Sequence, residues 1–270
     1  MSLKLRTIYD VIDPENYEKR HEYSPRETYL HHYWKPLICR IIQLICKTMQ
    51  KYSIIVEALD VGCGTGVYTE EISRDSQICV GLDLSKNMIK YAKKKHSELN
   101  LILADAHKLP FKDECFELVV SIGLLEYVQK DTVLKEITKV MKRKAFLIIA
   151  VPNKYSAYRL PIKIFSKVLK KRYIKKEPSL NEMLRSFYNL NLKLFWYKMD
   201  DGLVFLPDFL DMIIGKKIYY LVEKIFKQVL RRNPFSNVML FLLQKKIYNH
   251  MQYYKVNAYI FFERFGDVNT

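Results

Sequence analysis

Residues 57–70 read EALDVGCGTGVYTE. With Val56 ahead of it, this stretch opens on the short run Val56–Val61, rich in Val, Ala and Leu as a strand buried on both faces should be. Gly62, Gly64 and Gly66 follow within five residues, and an amphipathic stretch comes after them. The 270-residue chain has eight glycines, so placing three of them here marks a backbone that must approach a ligand closely. A strand, a glycine turn and a helix together offer backbone N–H groups and a helix N-terminus to a nucleotide-like group. A dinucleotide site would read GxGxxG; here the spacing is GxGxG, and Val67 stands where the third dinucleotide glycine would fall. Asp60, just ahead of the turn, would repel a pyrophosphate and suits a ligand that carries an ammonium.

On both sides of this turn, from residue 51 to 151, short apolar runs alternate with helical patterns. The runs Val56–Val61, Ile78–Asp83, Leu101–Leu103, Phe116–Ser121 and Ala145–Val151 read as strands. Between them, Ser85 is placed to cap a helix over Lys86–Lys95, and Asp131 to cap one over Thr132–Lys142. This alternation predicts an α/β fold with a parallel, doubly wound sheet whose ligand lies at the carboxyl ends of the strands. The second strand ends GLDLS, so Asp83 can accept both hydroxyls of a ribose, in an adenosine or in NAD alike. The third leads into ADAHKLPF, which brings Asp105 within reach of an adenine amino group.

With these residues in order, the chain resembles the class I S-adenosylmethionine-dependent methyltransferases, in particular the methyltransferase 11 or ubiquinone-biosynthesis-like group. The resemblance covers about residues 55–153 and rests on LDVGCGTG, DLSKNMIKYAKKK, ADAHKLPFKDECFE and LLEYV. It implies a Rossmann-like seven-stranded sheet of order 3-2-1-4-5-7-6 with the last strand antiparallel. It also implies S-adenosyl-L-methionine as cofactor, with S-adenosyl-L-homocysteine as product. By this likeness Gly62, Cys63, Gly64 and Gly66 line the methionine part and Asp60 faces its ammonium. Asp83 takes the ribose, Leu84 and Met88 pack the adenine, Asp105 and Ala106 read its edge, and Ile122 and Leu125 flank the sulfonium region. The chain departs from the family pattern twice: Lys142-Arg143-Lys144-Ala145 stands for the usual K-P-G-G turn, and Glu117 replaces the aspartate of an FD pair.

The resemblance implies methyl transfer by in-line displacement to an O-, N- or C-nucleophile. Such an enzyme must align the nucleophile and exclude water, and needs no metal. Candidate bases are His31 and His32, Glu126 and Tyr127 after the fourth strand, and Tyr155 or Tyr158 after the fifth, with none singled out. Three domains are expected: an N-terminal helical cap over 1–50, a methyltransferase core over 51–202 and 251–270, and a helical insertion over 203–250. Within the core, Leu192–Tyr197 reads as a sixth strand, Val256–Phe262 as a seventh, and Ser156–Lys171 and Leu180–Phe187 as helices, the second capped by Ser179.

Charge is uneven along the chain. Residues 1–150 carry 23 basic and 20 acidic side chains, whereas residues 151–270 carry 22 and 9. The aromatic, basic C-terminal half therefore fits a small-molecule or lipid-like acceptor presented at an anionic membrane surface, or a phosphorylated substrate. Two other readings stand behind this one: an RNA or tRNA methyltransferase, and a regulator that binds S-adenosylmethionine without catalysis. The apolar stripe Ile218–Leu230 would also suit a homodimer face. The first residues break their apolar positions with charge, and no apolar run reaches the roughly 18–20 residues of a membrane span. Five cysteines without a CxxC pair favour reduced thiols, and the expected location is cytoplasmic, peripheral to a membrane where the acceptor is a lipid.

Overall fold

The computed structural model describes residues 13–19, 22, 25–156, 176–199 and 238–246, with the backbone alone for 25–30. Seven strands form one sheet: β1 (Glu57–Val61), β2 (Ile78–Asp83), β3 (Asn100–Leu103), β4 (Phe116–Ile122), β5 (Met141–Pro152), β6 (Leu192–Met199) and β7 (Val238–Lys245). Their order is β3-β2-β1-β4-β5-β7-β6, as expected. The strands from β3 to β5 pair in parallel, and β7 runs antiparallel to both β5 and β6. Six helices accompany the sheet among the described residues: α1 (Pro14–Glu18), α2 (Pro25–Lys51), α3 (Val67–Asp75), α4 (Lys86–Lys95), α5 (Lys130–Val140) and α6 (Leu180–Asn189).

Each face of the sheet buries its own apolar cluster, giving three layers. On one face Leu59, Val61, Val119, Leu147 and Ile149 pack with Val133, Leu134 and Ile137 of α5 and with Met183 and Phe187 of α6. On the other, Ala58, Leu118, Val120, Ile148 and Leu242 pack against Trp34, Ile38, Ile41, Ile42, Ile45 and Met49 of α2. Those α2 positions recur at helical spacing, so one stripe enters the core while Arg40, Gln43 and Lys47 face water. The second half of the stretch read as an N-terminal cap is thus a sheet-covering core helix. The short α1 rests on α4, where Glu18 accepts from the Tyr91 hydroxyl and pairs with Lys95.

Local signals explain most boundaries. The Ser85 hydroxyl accepts from the Met88 N–H and starts α4 as expected. Ser179 and Glu182 form a reciprocal capping box at α6. Asp131, expected as a cap, is instead in the first turn of α5; the N-cap is Gln129, and Asp131 accepts from Ser186 and pairs with Lys130. The reason is tertiary: the Asp131 carboxylate is drawn to α6, and a first-turn acid favours the helix dipole without capping it.

The seventh strand also differs from expectation. It is Val238–Lys245, inside the stretch assigned to an insertion, and the expected strand at Val256–Phe262 lies outside the described residues. VMLFLLQK is apolar at six successive positions, and such a run reads equally as a buried helix or as a strand covered on both faces. Flanked by β5 and β6, it is the latter. Residues 200–237, most of the expected insertion, also lie outside the described residues, as does all of the Ser156–Lys171 segment beyond Ser156.

The two departures from the family pattern meet at the amino-terminal end of the sheet. The Lys142 ammonium lies 2.6 Å from Glu117 and 2.8 Å from Glu57, tying β5 to β4 and β1. Two residues on, Lys144 adopts a left-handed backbone with φ of 63°. A lysine pays a steric cost there that glycine would not. Lys144→Gly should therefore raise unfolding stability by about 0.5–1 kcal/mol in urea titrations, with the slope unchanged.

Candidate functional site

The site grows from the end of β1. The N–H groups of Gly62 and Cys63 both donate to the Leu82 carbonyl, at 2.8 and 2.9 Å, so the chain folds back onto the end of β2. Gly66 then donates to the Cys63 carbonyl. This path needs φ of 80°, 53° and 83° at Gly62, Gly64 and Gly66, a region side chains rarely enter. A Cβ on Gly62 would lie 3.1 Å from the Leu124 side chain, whereas one on Gly64 would meet nothing within 4 Å. The turn is thus closed by Leu124 at one glycine and open at the next. Gly66 begins α3 with no side-chain cap, leaving first-turn N–H groups available to an anionic or carboxylate group.

Asp60 is buried beneath this turn and accepts from the Thr69 hydroxyl of α3 at 2.6 Å. Burial pushes its carboxyl up to about 7; the Thr69 bond opposes this and the Asp83 charge adds to it. Gly81, opposite Asp60 in β2, makes room for the arrangement, because a Cβ there would lie 2.9 Å from the Thr69 hydroxyl. The Asp83 carboxylate, at the end of β2, accepts from the N–H of Gly64 at 2.9 Å and from that of Ser85 at 2.8 Å. It joins the glycine turn to the start of α4.

After β3, Asp105 accepts from the His107 N–H at 2.9 Å and lies 2.7 Å from His107 Nδ1. Burial raises its carboxyl, but the His107 bonds outweigh this and hold it below the usual carboxylate range. Leu84 is half-buried, and Met88 and Ala106 are buried around the same edge. Cys63 is buried against Ile89, Ala92, Leu99 and Leu101, and burial raises its thiol well above the usual value. It is a packing residue rather than a thiolate. Ile122 is half-buried at the end of β4. Leu125 belongs to the buried core cluster and is 1% exposed; its neighbour Leu124 is the leucine that faces the glycine turn. The repeated leucine of LLEYV gave no means of choosing between them.

Three of the candidate bases, Glu126, Tyr127 and Tyr155, follow the carboxyl ends of β4 and β5. Glu126 is buried after β4, and its carbonyl accepts from the Lys176 N–H. Tyr127 is half-buried against the core, whereas Tyr155 is exposed after β5 with the Lys154 ammonium 5.9 Å from its ring. His31 and His32, on α2, meet edge to face at 5.6 Å. Tyr158 lies outside the described residues. A cleft of about 670 Å³ opens between the start of α5 and the residues before α6, lined by Lys130, Lys154, Lys176, Asp131, Glu177 and Glu182 among others. No cluster of three or more metal-ligating side chains occurs among the described residues, and no helix among them is long and apolar enough to cross a membrane.

Comparison with known proteins agrees with this geometry. The family described as a methyltransferase domain matches residues 59–149. An uncharacterised protein of Methanocaldococcus jannaschii is 33% identical over 171 residues, which span 62% of this chain and 70% of that protein. A demethylmenaquinone methyltransferase of Thermotoga maritima is 31% identical over 134 residues, 48% of this chain; the chain spans about half of that relative's length, at 56%. Among solved structures, a SAM-dependent methyltransferase from Methanosarcina mazei superposes with a TM-score of 0.54 at 16% identity, over 72% of this chain and 94% of that one.

The buried Asp60 yields a prediction with a definite sign. Its folded-state pKa is raised from 3.8 to about 7, so the stability it contributes is present below about pH 4 and lost as pH rises toward 7. Asp60→Asn should therefore raise the melting temperature of the ligand-free protein by at least about 3 °C at pH 8, and by little at pH 4.5, in calorimetric scans.

Proposed function

The chain belongs to the class I S-adenosylmethionine-dependent methyltransferases, and from that premise we propose that it methylates a small, lipid-like acceptor of the quinone or isoprenoid kind. One observation carries the cofactor part: three successive strand ends bring the glycine turn, Asp83 and Asp105 to one edge of the sheet, in the order a methionine, a ribose and an adenine require. The residues fit the group. Gly64 leaves open space where a side chain would intrude, and the uncapped start of α3 offers N–H groups to a carboxylate. Asp60 would meet an ammonium, Asp83 the ribose hydroxyls, Leu84 and Met88 the adenine face, and Asp105 and Ala106 its edge. Leu124 and Ile122 would border the reacting end.

When bound, such a cofactor supplies a methyl group activated by a sulfonium. The protein's own part is to align the acceptor and exclude water, which contributes through proximity. A hydroxyl or amine acceptor also releases a proton. Glu126, Tyr127 and Tyr155, which follow β4 and β5, and His31 on α2 are the candidates to receive it. The lipid-like acceptor is supported by the similarity to a protein named for demethylmenaquinone and by the basic, aromatic character of residues 151–270. An anionic surface that presents the acceptor fits that charge.

The test is calorimetric titration of wild type and Asp83→Ala with S-adenosylmethionine, S-adenosylhomocysteine and NAD. The first two should bind at micromolar concentration and NAD should not. The variant should bind at least about tenfold more weakly, since a charge-assisted hydrogen-bond pair is lost. Methyl transfer to a quinol in anionic vesicles supports the acceptor; transfer to tRNA with salt-sensitive binding would move it to RNA. Tight cofactor binding without turnover on any acceptor would favour a regulator.

A further inference from the structure

We propose that His107 is a positioning residue that makes the cofactor site specific for adenine, by holding Asp105 so that one carboxylate oxygen is committed to the protein and the other is left for the base. The proposal rests on the cofactor reading above.

His107 Nε2 lies 3.2 Å from the backbone nitrogen of Gln129. A backbone N–H only donates, so Nε2 must accept, and the ring is neutral with its proton on Nδ1. Nδ1 is 2.7 Å from Asp105 Oδ1, to which it donates. The same oxygen also accepts from the His107 backbone N–H at 2.9 Å. Asp105 Oδ1 thus has two donors, while Oδ2 has no hydrogen bond among the described residues. Any residue but proline at position 107 would preserve the backbone bond; in this chain the ring supplies the second donor and fixes the rotation of the carboxylate.

An adenine amino group donates to such an oxygen. A base with a carbonyl in that place would set two acceptors against each other, and a site built to bond a donor rejects such an analogue strongly. The ring's second bond reaches the N-cap of α5, at the end of the segment that carries Leu124, Glu126 and Tyr127. His107 therefore also fixes the adenine-side loop relative to the segment at the reacting end. A separate bond from the Leu109 N–H to Glu136 at 3.3 Å holds that loop to α5 without the ring. Removing the ring should consequently free Asp105 while the loop stays docked.

The experiment is calorimetric titration of the full chain with S-adenosylhomocysteine and with S-inosylhomocysteine, in which a carbonyl replaces the adenine amine. Wild type should prefer the adenine compound by at least about tenfold. In His107→Ala and in the space-filling His107→Leu the preference should fall below about threefold, with the inosine compound's affinity nearly unchanged. His107→Asn, whose amide can still donate to Asp105, should keep most of the preference. Thermal unfolding identifies which variants are folded, and either of the first two suffices. An undiminished preference in a folded Ala or Leu variant would overturn this proposal alone. Failure of wild type to bind S-adenosylhomocysteine would overturn the cofactor reading, and this proposal with it.

Discussion

Everything at the site depends on one shared acceptor. The Leu82 carbonyl takes the N–H groups of both Gly62 and Cys63, and this fastens the end of β1 to the end of β2. The turn that carries this pair of hydrogen bonds passes through left-handed conformations at 62, 64 and 66, which is why glycines stand there. It also sets Gly64 where its N–H meets the Asp83 carboxylate. With the turn fixed, α3 starts at Gly66 and brings Thr69 over Asp60. The buried Asp60, the Asp83 carboxylate at the end of β2 and the open helix start are thus consequences of one hydrogen-bonded corner.

Much of this was legible in the sequence because it is local. The N-caps at Ser85 and Ser179 and the strands from β1 to β5 lie within a few residues of their signals; the parallel sense follows from the alternation of strands and helices, and the strand order was implied by the family resemblance. What was not legible depends on distant partners. Asp131 looks like a cap until Ser186 arrives from α6, 55 residues on. Leu124 and Leu125 are chemically identical, and only tertiary packing decides which enters the core. VMLFLLQK has no periodicity to distinguish strand from helix, because both of its faces are covered. The same holds for His107, whose ring finds its second partner 22 residues away.

The departures from the family pattern fall into two kinds. Glu117 and Lys142 sit together at the end of the sheet remote from the glycine turn, and with Glu57 they form a three-strand ion-pair cluster. The longer glutamate in place of aspartate is thus used twice, accepting from Lys142 and from the Glu57 N–H. Lys144 is of the other kind: its left-handed backbone is a local strain, and its carbonyl accepts from the Gln244 side-chain amide of β7 at 3.0 Å. Neither feature touches the cofactor edge, so the binding chemistry is insulated from both.

The position of β7 has a consequence for biosynthesis. It is the last described strand in the chain yet lies between β5 and β6, so the sheet is completed by insertion rather than by growth at a margin. Ile149 pairs with Phe241, and Leu147 with Leu243, across more than ninety residues of intervening chain. Until residue 245 leaves the ribosome, the β5 edge, with its run Phe146–Val151, lacks its native neighbour β7 on that side. An unpaired apolar strand edge is a template for pairing with another nascent chain. The glycine corner can therefore assemble early, but the half-sheet that bears it depends on prompt arrival of β7, or on a chaperone, to stay out of aggregates.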